Sequence, residues 1–202
     1  MTLDIALKIA TPLVGTLGFA FTVYTLYKNH ERARRELAVR LMIEWSNSYD
    51  ATTKYSMRLA GVLDEDQITS IWNRSEFQVD GKYLALLIDL LGDRFDKDAL
   101  RSELVPKDGR IRVGAQYAEY VEYQWTRYLN RLESTLAAWS CHVAREDMME
   151  GQFKKLLKLR EGLLEKLTRL DPASVNDPCH PTIADFLARI KQNKPLPASR
   201  RF

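Results

Sequence analysis

The residues of this chain best suited to metal chemistry are two cysteines that are each followed directly by a histidine. Cys141-His142 and Cys179-His180 could together supply four zinc ligands. Neighbouring residues on a helix point about 100° apart, so each pair is poorly placed to chelate one ion. Buried thiols beside surface imidazoles are the simpler interpretation. His30 lies among arginines and is predicted to be a surface residue. We therefore predict no metal site and no cofactor.

The sequence also lacks the common catalytic motifs. It contains no phosphate-binding loop, GxSxG, HExxH or CxxC pattern. Some helical ribonucleases of bacterial defence systems have an arginine followed, after four to six intervening residues, by a histidine, and no histidine here is preceded by an arginine at that spacing. Glu119 and Glu122 are consistent with ion pairs on a helix surface. Negative charge is favourable at the start of a helix, which is the interpretation of Asp64, Glu65 and Asp66. We predict that the protein is not an enzyme.

The elements that position these residues begin with an apolar segment. Residues 9–27 contain no charge over 19 positions, and as a helix they would span roughly 28 Å, close to the hydrocarbon thickness of a bilayer. A buried core helix is the alternative. The bases follow the segment, so the positive-inside rule predicts a single-pass protein of the bacterial inner membrane with its N-terminus outside and its C-terminus in the cytoplasm. These bases are Lys28, Arg32, Arg34, Arg35 and Arg40.

A stripe of small and polar residues runs along this segment at alternating spacings of four and three, the heptad pattern of helix packing. The same spacing continues to Lys8 and Asn29, at the two ends of the segment. In a dimer or trimer the stripe would be buried packing, whereas in a ring of four or more subunits it would line a central pore. Its members are Thr11, Gly15, Gly18, Thr22 and Thr25.

The remaining sequence predicts helices joined by short loops, and the fold class is all-α. The net charge of +3 is the difference between 30 bases and 27 acids, which is typical of a solvated helical surface. Two cysteines do not make a disulfide framework and fit a reducing compartment. We divide the chain into a transmembrane anchor, a juxtamembrane linker helix, a cytoplasmic helical domain and a flexible tail. Their bounds are 1–28, 29–60, 61–192 and 193–202.

Within this division, the anchor helix is predicted to run on as one rod to about residue 59, and an amphipathic helix lying on the membrane surface is the alternative for residues 28–40. Asp64 and Gln67 form a capping pattern for a short helix, and further helices are expected near residues 83–92 and 96–104. Residues 105–114 could hold a small hairpin but are interpreted as a loop. Aromatic residues along a helix at 116–141 are predicted to belong to the core or to a subunit interface. One helix is expected over 146–170, and a short one at 182–191.

Residues 128–158 resemble a pattern in small uncharacterised bacterial membrane proteins, through Leu129, Asn130, Glu133, Glu146 and Asp147. In this comparison the asparagine and the glutamate would be buried groups that fix helix packing. The wider plan, one N-terminal span before a helical domain, is similar to membrane effectors of antiphage defence. These are the Hailong-type channel effector and the pore-forming accessory membrane proteins of RNA-targeting CRISPR systems. The resemblance implies a homo-oligomeric ring that depolarises the membrane, and for the Hailong type a nucleotide-derived signal.

The first hypothesis is therefore a homo-oligomeric pore or ion-channel effector of four or more subunits, gated through its helical domain. An anionic signal would need bases, and lipid contact is the alternative role for the same residues. The second hypothesis is a membrane-tethered scaffold that recruits a cytoplasmic partner protein without conducting ions. The candidate bases are Arg32, Arg34, Arg35, Lys107, Arg110 and Arg112.

Overall fold

The computed structural model describes the backbone of residues 2–174 and 179–192, and the side chains of residues 18–173 and 179–192. The predicted tail, residues 193–202, lies outside this part. The described residues are about 77% helical, which confirms the all-α class.

The first helix, α1, runs over Thr2–Ser48, and α2 follows over Ala51–Val62. The predicted rod to residue 59 is therefore wrong, because the chain turns at Tyr49 and Asp50. The Asp50 carboxylate accepts a hydrogen bond from the Thr53 amide at 2.7 Å and begins a new helix there. This turn lets α2 pack against the helices at Leu84–Leu91 and Ala115–Ser140 instead of continuing away from them.

The short helices of the middle segment agree with their sequence patterns. Asp64 and Gln67 form a reciprocal capping box, with both hydrogen bonds at 2.8 Å. Apolar faces of these helices supply core residues such as Ile68 and Leu87. A 3-10 turn over Gly81–Tyr83 precedes α4. The helices are α3 (Glu65–Trp72), α4 (Leu84–Leu91) and α5 (Lys97–Glu103).

A two-stranded antiparallel sheet corrects the interpretation of residues 105–114 as a loop. Strand β1, Phe77–Asp80, pairs with β2, Arg110–Val113. Both strands alternate buried and exposed residues, so that one face joins the core while the other faces solvent. Gly109 has φ of +76°, the left-handed conformation that glycine adopts at low cost in the turn before β2.

Helix α6, Ala115–Ser140, is the central element, and the aromatic residues predicted to be core are buried along it. Trp125 packs edge-on against Trp72 with ring centroids 5.7 Å apart, and its indole donates to the Ser56 carbonyl at 3.1 Å. Helices α1, α2, α3 and the last helix, α9 (Pro181–Lys191), surround α6. This long helix therefore connects the N-terminal helix to the rest of the domain.

The predicted helix at 146–170 is two helices, α7 (Glu146–Lys158) and α8 (Glu161–Leu170). They are separated at Leu159 and Arg160, where Arg160 leaves helical geometry with φ of −122°. The break has a packing reason: α7 contacts α1 and α9, whereas α8 contacts α2 and α3. The last helix, α9, spans Pro181–Lys191, after a 3-10 turn at Pro172–Ser174.

Candidate functional site

The N-terminal part of α1 exposes large apolar side chains in every direction. Phe19 is 72% exposed and Phe21 is 71% exposed, and all residues from 18 to 30 are classed as exposed. In a single chain in water, exposing this apolar surface would cost a free energy of roughly 25 cal/mol per Å². Exposed apolar areas of this kind mark surfaces that contact lipid or protein. The other large apolar side chains of this stretch are Val23, Tyr24, Leu26 and Tyr27.

The predicted stripe lies on this exposed stretch where side chains are described. Gly18, Thr22 and Thr25 are exposed, and so is Asn29 at the predicted inner end. The Thr22 hydroxyl donates to the Gly18 carbonyl at 2.8 Å, so two stripe positions are bonded to each other within the helix. The side chains of Lys8, Thr11 and Gly15 lie outside the described residues.

A separate finding concerns hydropathy. Within the part of the chain that the structure describes, no helix combines the length and the apolarity needed to cross a bilayer.

The C-terminal part of α1 packs one face against the domain. Ala38 and Trp45 are buried in the core, and Leu41 lies beside them on the same face. Trp45 contacts Tyr128 of α6 and Phe153 of α7, with ring centroids 5.4 and 5.6 Å apart. These residues follow the heptad spacing of three and four. The helix that carries the stripe is thereby anchored to α6 and α7.

On the other side of α1, Val39 and Ile43 are 42% and 55% exposed. The alternating spacing of the stripe, continued from Thr25 through Asn29, reaches both of them. At about 100° per residue, they project nearly opposite the face that Ala38 and Trp45 bury. Between Thr25 and Val39 the same spacing passes through Asn29 and the ion pair of Arg32 with Glu36, so Val39 and Ile43 form a second, separate exposed apolar pair on this face.

Ion pairs hold α1 beside the turn between α6 and α7. Arg34 lies 3.6 Å from Glu31 on its own helix and donates to the Ala144 carbonyl at 3.3 Å. Arg145 reaches back to Glu31 at 3.4 Å, and also binds Asp147 at 2.7 Å. This last contact, partly offset by burial, lowers the pKa of the Asp147 carboxyl. The arrangement links α1 to both α6 and α7.

A second attachment holds the end of α1. Arg131 of α6 donates to the Ser48 carbonyl at 3.2 Å, where a helix presents unpaired carbonyls. Arg127 donates to Asp50 at 3.1 Å. The pKa of Asp50 is lowered because its hydrogen bonds and this guanidinium outweigh its partial burial. The C-terminal part of α1 is thus fixed at both ends.

The six candidate bases do not form one cluster. Arg32 pairs with Glu36 and Arg112 with Glu76, both on the exposed surface. Arg34 belongs to the attachment of α1, while Arg35, Lys107 and Arg110 are exposed and form no direct ion pair among the described residues. Arg110 lies opposite Asp80 in the register of β1 and β2. The structure therefore separates the bases of α1 from those in and before strand β2.

The burial of the cysteine and histidine side chains differs from the one expected. Both Cys141 and Cys179 are exposed, and His180 is 5% exposed, so the interpretation of buried thiols and surface imidazoles is wrong for these three. His142 and His30 are exposed as expected. No group of three histidine, cysteine or carboxylate side chains arranged for a metal ion occurs among the described residues.

The resemblance pattern placed an asparagine and a glutamate in helix packing, and only the glutamate has that role. Asn130 is exposed. Glu133 lies at the N-terminus of α9, where its carboxylate accepts the amides of Thr182 and Ile183 at 2.8 and 3.0 Å. It thus caps α9 from a neighbouring helix.

Comparison with protein families, with curated proteins and with solved structures finds no match to this chain.

Sequence reasoning missed two features of this site. Val39 and Ile43 could have been found by continuing the stripe spacing past residue 32. Arg160 could not have been found, because it adjoins Tyr49 only after α7 and α8 separate. Its guanidinium carbon lies 4.9 Å from the centre of that ring.

Proposed function

We propose that this chain is a single-pass inner-membrane protein that assembles as a homo-oligomer of four or more subunits and forms a pore or ion channel. The observation that carries the proposal is the apolar surface that α1 exposes around its whole circumference between Phe19 and Tyr27. A ring of such helices in a bilayer would cover this surface with lipid and with neighbouring copies. The stripe would then face the central pore.

The attachment of α1 supports gating through the helical domain. Thr25 and Arg34 belong to one continuous helix, nine residues and about 14 Å apart along its axis. Arg34 bonds the turn between α6 and α7, so a movement of that turn would be passed to the stripe. Because the overall plan resembles membrane effectors of antiphage defence, the proposal includes a role in bacterial antiphage defence. The corresponding partner would be a nucleotide-derived signal.

The test is a recording from the full chain, purified in detergent and reconstituted in a planar bilayer. Thr22→Leu places a bulky side chain on the stripe, and Val23→Leu places the same side chain on a different face. We expect discrete openings from the unchanged protein and from Val23→Leu, and blocked or reduced openings from Thr22→Leu. Equal currents from all three proteins would mean that the stripe does not line the path.

A membrane-tethered scaffold that recruits a cytoplasmic partner is the second candidate function. The bond from the Thr22 hydroxyl to the Gly18 carbonyl favours it, because a stripe satisfied within its own helix can be buried as simple packing. Replacing residues 1–28 by an unrelated single-span anchor distinguishes the two functions. A scaffold would keep its activity in cells after this exchange, whereas a pore would lose it.

A further inference from the structure

The turn between α6 and α7, residues 141–145, is attached to α1 by two arginines. The Ala144 carbonyl accepts a hydrogen bond from Arg34 at 3.3 Å, and the Arg145 guanidinium lies 3.4 Å from the Glu31 carboxylate. One of these arginines belongs to α1 and the other to the turn, so the two elements hold each other. These contacts fix the turn beside residues 31–34 of α1.

This position is close to the end of the uncharged segment. Glu31 and Arg34 follow Tyr27 by four and seven residues, which is about 6 and 10 Å along the helix axis. All residues from 18 to 30 are exposed, so within the part of the chain that the structure describes nothing packs on α1 before this point. The turn is therefore the first part of the described domain to meet α1 after the uncharged segment.

The turn presents three exposed side chains in succession, those of Cys141, His142 and Val143. His142 has φ of +56°, the left-handed conformation that ends α6, and the Val143 amide donates back to the Ala138 carbonyl at 3.1 Å. An apolar residue at this position of the motif commonly packs against the helix that it ends. Val143 instead remains 49% exposed, which leaves an apolar side chain at the tip of the turn.

A bilayer crossed by the uncharged segment would have its lipid headgroups at the level of this turn. The hydrocarbon core is about 30 Å thick, and the headgroup layer adds about 5–7 Å on each side. Tyr24 and Tyr27 are both exposed near the end of the segment, and the Lys28 ammonium lies 5.6 Å from the centre of the Tyr24 ring. Tyrosine beside a basic residue is typical of the boundary between hydrocarbon and headgroups.

We propose that the α6–α7 turn rests on the headgroups of the membrane that α1 enters, with Val143 against the lipid. Lys28 and Arg35 are exposed and form no direct ion pair among the described residues, so they would bind lipid phosphates beside the turn. The inference rests on the membrane anchor of the proposed function, and it adds a second lipid contact made by the helical domain itself. The domain is then held at the membrane surface by the turn as well as by α1.

Thiol reactivity of the full chain in lipid vesicles tests the proposal, because Cys141 lies in the turn. Cys179→Ser leaves Cys141 as the only thiol, and its rates with a cationic and an anionic methanethiosulfonate reagent are compared. The ratio of the two rates cancels any change in the thiol itself. A surface potential of about −30 mV enriches a monovalent cation and depletes an anion by about threefold each. The ratio for Cys141 should therefore rise about tenfold when phosphatidylglycerol is added to phosphatidylcholine vesicles.

Cys141→Ser provides the control, because it leaves Cys179 as the only thiol. Cys179 precedes α9, whose first amides bind Glu133, and Glu133 lies eight residues, about 12 Å, before Cys141 along α6. This distance exceeds the Debye length of about 8 Å, so the ratio for Cys179 should change by less than about twofold. An unchanged ratio for Cys141 would overturn the proposal. Protection of Cys141 from both reagents in vesicles and in detergent would also overturn it, since another copy of the chain would then cover the turn.

Ala20→Cys, in a chain with both native cysteines replaced by serine, separates this inference from the membrane anchor. Ala20 projects nearly opposite Gly18 and Thr22, so in the proposed ring it faces lipid. We expect this thiol to react with neither charged reagent in vesicles. Protection at this position together with an unchanged Cys141 ratio would mean that α1 enters the bilayer but the turn does not touch it. Reaction as fast as that of Cys179 would contradict both the anchor and the lipid contact of the turn.

Discussion

Helix α1 has an N-terminal part, residues 18–30, in which every described side chain is exposed, and a C-terminal part that buries one face in the domain. The two parts belong to one unbroken helix and follow the same heptad spacing. They differ in what covers their apolar residues. Trp45 is covered by Tyr128 and Phe153 of the same chain, whereas nothing in the part of the chain that the structure describes covers Phe19 or Phe21.

This contrast shows what the helix is built to connect. The C-terminal part of α1 packs against other helices of the same chain, so its buried residues contribute to the stability of the monomeric domain. The N-terminal part has its surface free for lipid or further copies of the chain. A substitution should therefore act on domain stability in one part and on assembly in the other, although the helix is continuous.

The largest expected effect on the domain is that of Trp45→Ala. Removing this buried aromatic residue leaves a cavity between α1, α6 and α7 and should cost about 3–5 kcal/mol of unfolding free energy. Phe21→Ala, on the exposed part, should change the same quantity by less than about 0.5 kcal/mol. Denaturant unfolding of the domain, followed by near-ultraviolet circular dichroism, measures both. Similar losses of unfolding free energy in the two variants would mean that both parts of α1 contribute to domain stability, which would contradict this contrast.

A smaller effect is expected from the attachment at Arg34. Arg34→Ala removes the bond to the Ala144 carbonyl and leaves Glu31 with fewer partners, and should cost about 1–3 kcal/mol. Arg32→Ala, two residues earlier, breaks only an exposed pair with Glu36 and should cost about 0.5 kcal/mol or less. The same unfolding experiment compares them. An Arg32 effect as large as that of Arg34 would contradict the attachment.

A pH dependence is expected from His180, which is buried at the N-terminus of α9. Burial lowers the pKa of this imidazole below 6.5, although Glu133 and Asp171 act in the opposite direction. The unfolded chain therefore binds the proton more readily, and unfolding free energy should fall as pH drops below 6.5, by at most about 1.4 kcal/mol per pH unit. His180→Asn should give a flatter profile over this range. A profile unchanged by the substitution would exclude His180 as the source.

The smallest effect on stability is expected at Val39 and Ile43. Val39→Lys combined with Ile43→Lys should change domain unfolding by about 0.5 kcal/mol or less, because both side chains are already exposed. The same pair should shift the mass of the detergent-solubilised protein, measured by light scattering, towards smaller assemblies. Lysine at the exposed, adjacent positions Arg40 and Glu44 provides the control. An unchanged assembly would remove Val39 and Ile43 from the contact between copies.

The helices that the sequence predicted well have local causes. The capping box at Asp64, the apolar stretch before Gly92 and the aromatic spacing of α6 each act within a few residues. The helix breaks at Tyr49 and Arg160 were missed because each depends on which neighbours the flanking helices reach. The strands at residues 77–80 and 110–113 were missed for a similar reason: four residues form a strand only when a distant partner supplies the hydrogen bonds.

The sequence by itself determined the helical class, the uncharged segment and the stripe, because charge and helical periodicity are properties of a continuous stretch of chain. Tertiary structure decided which basic side chains form contacts within the domain, since Arg34 donates to the Ala144 carbonyl only when α1 lies against the turn between α6 and α7. It also brings the Tyr49 ring beside Tyr128 and Arg160. Residues more than 30 positions apart come together there because packing, and not spacing along the chain, brings their side chains into contact.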